Sequence, residues 1–166
     1  SEHPIAKAIV NAAKKQKIKL VNVTRFKILR GRGAQAILKG KKVLIGNRKL
    51  MHENKIDIER FESDIQKLEG QGKTVMAIVF ANKVIGIIAI ADTLKEDSVS
   101  AISELKKMGF KTIIMTGDNE RTAKAIAKKA GIDDVLADVL PEEKARKIKQ
   151  LQKQAMVAMV GDGIND

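Results

Sequence analysis

At 166 residues the chain holds either one domain or two small ones, and it is long enough to bury a core. Its composition, 44% hydrophobic and 31% charged, describes a soluble globular protein, and no apolar stretch approaches the roughly 20 residues needed to span a bilayer. The absence of cysteine excludes disulfides and thiolate metal sites, and two histidines argue against a histidine-rich transition-metal centre. A formal net charge of +12 raises nucleic acid or an anionic membrane as a partner. The lysines, however, are spread over nearly every helical segment, and aromatic residues for base stacking make up only 2%, so a solvated basic surface is expected and no nucleic-acid partner.

The first element is an amphipathic helix from Pro4 to about Lys15, with Pro4 at its first position and Ile5, Ala8, Ile9, Ala12 and Ala13 on one face. Nothing there resembles a secretory signal. Residues 18–46 then read as four short strands, 20–23, 26–29, 34–38 and 42–45, with a hairpin turn at Gly40. A helix follows over 57–68 and stops at Gly70 and Gly72. Strands 74–80 and 84–91 flank Asn82, which suits a tight turn.

Beyond Asp92 the pattern alternates helix and strand, as parallel α/β structure does. The order is helix 95–108, strand 111–115, helix 120–130, a short strand at 135–136, helix 142–152 and strand 156–160. Two domains are expected: residues 1–91, α+β with antiparallel strands, and residues 92–166, a partial parallel α/β layer.

Two strand ends carry oxygen-rich loops. The run 156–160 leads into Gly161-Asp162-Gly163-Ile164-Asn165-Asp166, and the run 112–115 breaks at Thr116-Gly117-Asp118-Asn119. Each loop alone is explained by an ordinary turn, because Gly, Asn and Asp favour turns for local backbone reasons. Together they point at one crevice, since ligands in open α/β sheets collect outside the carboxyl ends of the strands. Asp162, Asn165 and Asp166 offer the hard oxygen atoms that Mg²⁺ prefers.

These loops, with Pro141 and Lys144, resemble in order the later signatures of the P-type ATPases. These are cation pumps whose soluble part pairs a nucleotide-binding domain with a haloacid-dehalogenase-like phosphorylation domain. Ser1-Glu2-His3-Pro4, Gly31-Arg32-Gly33 and Gly46-Asn47 resemble the heavy-metal-transporting branch, for which copper is the first expectation. The resemblance covers essentially the whole chain. It implies an antiparallel-sheet nucleotide-binding domain followed by a partial Rossmann-type parallel domain, ATP and Mg²⁺ as cofactors, and coupling of ATP hydrolysis to metal export through an aspartyl phosphate. Its partners would be the start of the phosphorylation domain, an actuator domain and membrane helices. The parent would lie in the cell membrane, with this soluble part on the cytoplasmic side.

Each implied role has a plainer reading beside it. His3, before Pro4, would present a neutral imidazole to adenine, or it is a frayed terminal residue. Gly31 and Gly33 would admit the nucleotide to the backbone, or they make a hairpin turn, and Gly46 resembles a further glycine of the nucleotide site. Asn47 would bond the nucleotide or terminate a strand. Thr116 with Gly117 would bond the phosphoryl oxygens and Asp118 would lie near the nucleotide or Mg²⁺, or Thr116 merely ends a strand. Lys144 sits in a helix's first turn, where the dipole disfavours a cation by roughly 0.3–1 kcal/mol. Either Glu142 and Glu143 offset that locally, or Lys144 neutralises charge on a transferring phosphoryl group.

The Asp-Lys-Thr-Gly-Thr run that supplies the family's nucleophilic aspartate does not occur in the 166 residues. Asp92-Thr93-Leu94-Lys95 lacks its order, and Thr93 with Glu96 reads as a capping box. The fragment is therefore expected to be inactive alone. A soluble haloacid-dehalogenase-like phosphatase with a cap domain, and a basic nucleic-acid-binding module, are the alternatives.

Overall fold

The computed structural model describes residues 4–91 and 94–161. Its elements run α1 (Pro4–Lys15), β1 (Thr24–Leu29), β2 (Gly33–Leu38), β3 (Lys41–Gly46), α2 (Arg48–Glu53), α3 (Glu59–Gly70), β4 (Lys73–Phe80) and β5 (Lys83–Ala91). There follow α4 (Ser98–Lys107), β6 (Ile113–Met115), α5 (Glu120–Ala130), β7 (Asp134–Leu136) and α6 (Pro141–Gln152). The fold is mixed α/β, with one antiparallel and one parallel sheet. Two compact units are present: one of residues 1–69 and 73–92, the other of residues 70–72 and 93–166. Among the described residues no helix is long and apolar enough to cross a membrane.

In the first unit β1 to β5 form one antiparallel sheet in sequence order. Two-residue connections join β2 to β3 and β4 to β5. Lys39 and Gly40 have φ of 49° and 73°, and Ala81 and Asn82 have 50° and 62°. Positive φ at both central residues is the turn whose twist matches paired strands. Along β4 burial alternates, with Val75, Ala77 and Val79 inward, as the two-residue period of a strand requires. They meet Leu44 of β3, Val84 of β5, and Leu50 and Met51 of α2, with Phe61 of α3 packed against the cluster.

The expected strand at 20–23 does not form: residues 18–23 have no regular structure, and Leu20 and Val21 are exposed. The register explains this. Thr24 already pairs with Ile37, and β2 ends one residue later at the Lys39-Gly40 turn, so nothing lies opposite 20–23. Helix α2 leaves little trace in the sequence. Its six residues are too few to display helical periodicity, and Asn47 was its only start signal.

In the second unit β6 and β7 pair in parallel, Ile113 with Asp134 and Met115 with Leu136, joined through α5. Helix α5 packs on β7 through a face of buried small residues, Ala123, Ala127 and Ala130, and closes on Gly131 in the left-handed conformation. Helix α4 begins at Ser98 with Asp97 in the cap position, so Glu96 precedes the helix and the expected capping box is not its start; Thr93 lies outside the described residues. The expected strand at 156–160 is also absent. Met156 and Val160 are fully exposed, because a buried strand needs neighbours for its N–H and C=O groups and, among the described residues, only β6 and β7 pair in this unit.

Asp133 ties this unit together. Lys106 of α4 reaches one carboxylate oxygen at 2.6 Å, and Thr112 donates its backbone N–H and its hydroxyl to the other, each at 2.9 Å. The Lys106 ammonium first, then the two Thr112 donors, holds the Asp133 carboxyl down to about 2 from its ordinary 3.8. A depressed folded-state value stabilises at pH above the unfolded value and is lost as pH falls through about 2. Asp133→Asn is therefore expected to lower the melting temperature of this unit at pH 7, with the gap to wild type closing between pH 4 and pH 2. Thermal unfolding followed across that range checks it.

Candidate functional site

Four of the five positions expected to meet a nucleotide, Gly31, Gly33, Gly46 and Asn47, fall together at one end of the first sheet. Gly31-Arg32-Gly33 is the turn between β1 and β2, and Gly46 ends β3 directly opposite Gly33. Gly31 has φ of 65°, so the turn enters the left-handed region there. Gly33 and Gly46 have a further requirement. A Cβ on Gly33 would stand 2.0 Å from the Ile45 carbonyl oxygen, and one on Gly46 would stand 2.2 Å from the Arg32 carbonyl oxygen. Close backbone approach alone therefore demands glycine at both positions.

Asn47 locks the turn in place. Its Oδ1 accepts from the Leu50 N–H at 3.1 Å, capping α2, and its Nδ2 donates to the Gly31 carbonyl at 2.9 Å. Its backbone N–H donates to the Arg32 carbonyl at 2.9 Å. Asn47 thus organises the loop as well as ending β3, and one amide hydrogen and one lone pair remain for a ligand. His3 lies outside the described residues.

In the second unit Thr116 and Asp118 form a stapled turn after β6. The Thr116 hydroxyl accepts the Asp118 N–H and donates to the Asp118 carboxylate, both at 3.1 Å. The main chain is fixed as well: Thr116 N–H donates to the Leu136 carbonyl at 2.9 Å, Val139 N–H to the Thr116 carbonyl at 3.0 Å, and Asp138 N–H to the Asp118 carbonyl at 2.8 Å. Gly117 is exposed at the tip, where a Cβ would meet the Val139 carbonyl at 3.4 Å. Asn119, which sequence reasoning left without a role, caps α5 by accepting the Thr122 N–H at 3.0 Å. This aims the start of α5 from the same turn.

Lys144 lies in the first turn of α6, whose cap residue Leu140 follows the Thr116-bonded Val139. The local explanation for its charge does not hold for Glu143. That carboxylate accepts the Leu140 N–H at 3.3 Å and pairs with Arg146 at 2.8 Å. Among the described residues no ion pair or hydrogen bond engages the Lys144 ammonium, which is half-buried. The hydroxyl of Thr116, the carboxylate of Asp118 and the ammonium of Lys144 are the group types that suit phosphoryl oxygens and a hard cation. Asp162, Asn165 and Asp166 lie outside the described residues, and among the described ones no cluster of three His, Asp or Glu side chains could hold a metal.

Comparison with known proteins adds to this geometry. The haloacid dehalogenase-like hydrolase family profile matches residues 1–166. A copper-exporting P-type ATPase of Staphylococcus haemolyticus is 53% identical over 100% of the chain, which spans 21% of that relative's length. One of Staphylococcus saprophyticus is 48% identical, again with 100% of this chain and 21% of the relative. Among solved structures, the catalytic domain of the CPx-ATPase CopB-B, described for its conformational changes upon nucleotide binding, matches with a TM-score of 0.68 at 30% identity, over 100% of this chain and 57% of that one. A zinc-transporting PIB-type ATPase in its E2.Pi state matches with a TM-score of 0.59 at 40% identity, over 100% and 26%.

Proposed function

Because the chain belongs to the haloacid dehalogenase-like hydrolase family, we propose that it is the ATP-binding part, with a portion of the phosphoryl-transfer site, of a heavy-metal cation pump, copper being the first candidate cargo. Residues 1–91 are the nucleotide-binding domain and 92–166 part of the phosphorylation domain. The longer protein would sit in the cell membrane, with this part on the cytoplasmic side beside an actuator domain and membrane helices. The observation that carries the reading is the Lys144 ammonium, without a partner among the described residues and in a helix turn where its charge is disfavoured, on a helix whose cap residue follows the Val139 that bonds the Thr116 carbonyl.

In this reading His3 meets the adenine, while Gly31, Gly33, Gly46 and Asn47 bring the loop backbone against the nucleotide. Thr116 and Gly117 orient the phosphoryl oxygens, and Asp118 keeps the Thr116 hydroxyl directed. Lys144 lowers the cost of negative charge gathering on those oxygens during transfer. Mg²⁺, held by the hard oxygens of Asp162, Asn165 and Asp166, would neutralise phosphate charge there. The acceptor is an aspartate of an Asp-Lys-Thr-Gly-Thr run, which these 166 residues do not contain.

Two outcomes follow for the chain alone. Titration with ATP gives weaker binding for His3→Ala than for wild type, and equal affinities would remove His3 from the site. Incubation with γ-labelled ATP and Mg²⁺ leaves no acid-stable label on the protein, and stoichiometric labelling would overturn the assignment of the nucleophile to another segment.

A further inference from the structure

Arg32, the middle residue of the glycine turn, stretches to the far end of α2, where its Nε donates to Glu53 Oε1 at 2.8 Å. The loop is thus held by α2 at both ends, since Asn47 at the start of the helix bonds the Gly31 and Arg32 carbonyls. The two anchor points are separated by a six-residue helix, about 9 Å at 1.5 Å per residue. One tether leaves a segment free to swing, whereas two spaced tethers fix its orientation as well.

Helix α2 is itself immobilised. Leu50 and Met51 are buried. Arg48 donates to Glu62 at 2.8 and 3.0 Å and to Glu69 at 2.5 and 3.0 Å, and both acceptors belong to α3. Asn54 accepts from Lys42 of β3 at 2.6 Å and donates to the Leu50 carbonyl at 2.9 Å. Rigidity therefore passes from α3 and β3 through α2 to the loop. Arg32 and Glu53 are about 40% exposed, and an ion pair this open adds little to folding stability, so its effect should appear in the loop's geometry.

We propose that the Arg32–Glu53 pair is a positioning device for nucleotide binding: Arg32 acts as a strut that sets the Gly31-Arg32-Gly33 backbone, and its guanidinium is not a ligand. The proposal rests on the nucleotide reading above.

A double-mutant cycle of wild type, Arg32→Gln, Glu53→Gln and the double variant tests it, by calorimetric titration with ATP alongside thermal unfolding of each protein. A strut predicts that each single change weakens ATP binding measurably, by about two- to fivefold. The double variant is then no weaker than either single one, because both remove the same constraint, and melting temperatures stay close to wild type. Amide exchange at Gly31 and Gly33 rises in both single variants. A guanidinium that bonds phosphate directly gives a different pattern, with Arg32→Gln weakening ATP and Glu53→Gln leaving it equal or tighter, and that result overturns the strut. Wild-type affinity in both single variants overturns it too, while leaving the nucleotide site intact. Absence of ATP binding by wild type removes the nucleotide reading and the strut together.

Discussion

Gly33→Ala is expected to unfold the first unit near ambient temperature and with it abolish ATP binding. The added Cβ would lie 2.0 Å from the Ile45 carbonyl oxygen and 2.6 Å from the Gly46 Cα, both backbone atoms. A flexible side chain could swing aside; a strand could move only by breaking its own ladder. β3 cannot retreat, because Gly46 pairs with Gly33 on one side and with Ala77 on the other. The φ of 144° at Gly33 is a second obstacle, since L residues rarely adopt it. Overpacking of this kind belongs with the largest single-residue effects, about 4 kcal/mol or more against a total stability of about 5–15. For a unit of this size that corresponds to a fall in melting temperature of more than about 15 °C. Gly86→Ala is the control, because its Cβ would meet nothing within 4 Å and its φ is not left-handed. It should melt close to wild type, and an equal loss in both variants would remove the close-approach explanation.

Lys144→Ala should cost the longer protein about 10²–10³ in the rate of phosphoryl transfer, the usual penalty for deleting a preorganised electrostatic contact. ATP affinity, which in this reading depends on the first unit, should barely change. Stability should move the other way. A cation with no partner among the described residues, in the first turn of α6, opposes the helix dipole, so its removal is expected to raise stability by about 0.3–1 kcal/mol. Rapid-quench labelling of the longer protein and thermal unfolding of this chain read the two effects separately. A purely structural lysine would give an unchanged transfer rate.

Much of the framework was legible from residues with strong local preferences. Pro4 marked the start of α1, and the alternation of Val75, Ala77 and Val79 defined β4. Gly40 and Asn82 marked two-residue turns whose geometry they tolerate, although Lys39 and Ala81 also adopt positive φ there without any sequence signal. What escaped depended on neighbours. The run 20–23 is as apolar as a strand but has no partner opposite it, and the run 156–160 is exposed for the same kind of reason. Helix α2 was invisible because its stability comes from Leu50 and Met51 in the core and from Arg48 on α3, contacts that periodicity over six residues cannot report.

The candidate site divides similarly. Motif order and glycine content identified Gly31, Gly33, Gly46 and Asn47 as one group, and Thr116 with Asp118 as another. The sequence left open whether Glu142 and Glu143 neutralise Lys144; Glu143 bonds Leu140 and Arg146 instead, and among the described residues no ion pair engages that ammonium. Arg32 carried no signal, because its partner Glu53 lies 21 residues away at the end of the helix that went unseen.

The most direct measurement is calorimetric titration of this 166-residue chain with ATP and with GTP, at low and at moderate salt, beside a DNA duplex under the same conditions. Our account predicts one ATP site per chain, weaker binding of GTP, and no high-affinity DNA binding once salt screens the basic surface. No ATP binding, equal binding of both nucleotides, or steeply salt-dependent DNA binding tighter than that of ATP would contradict it.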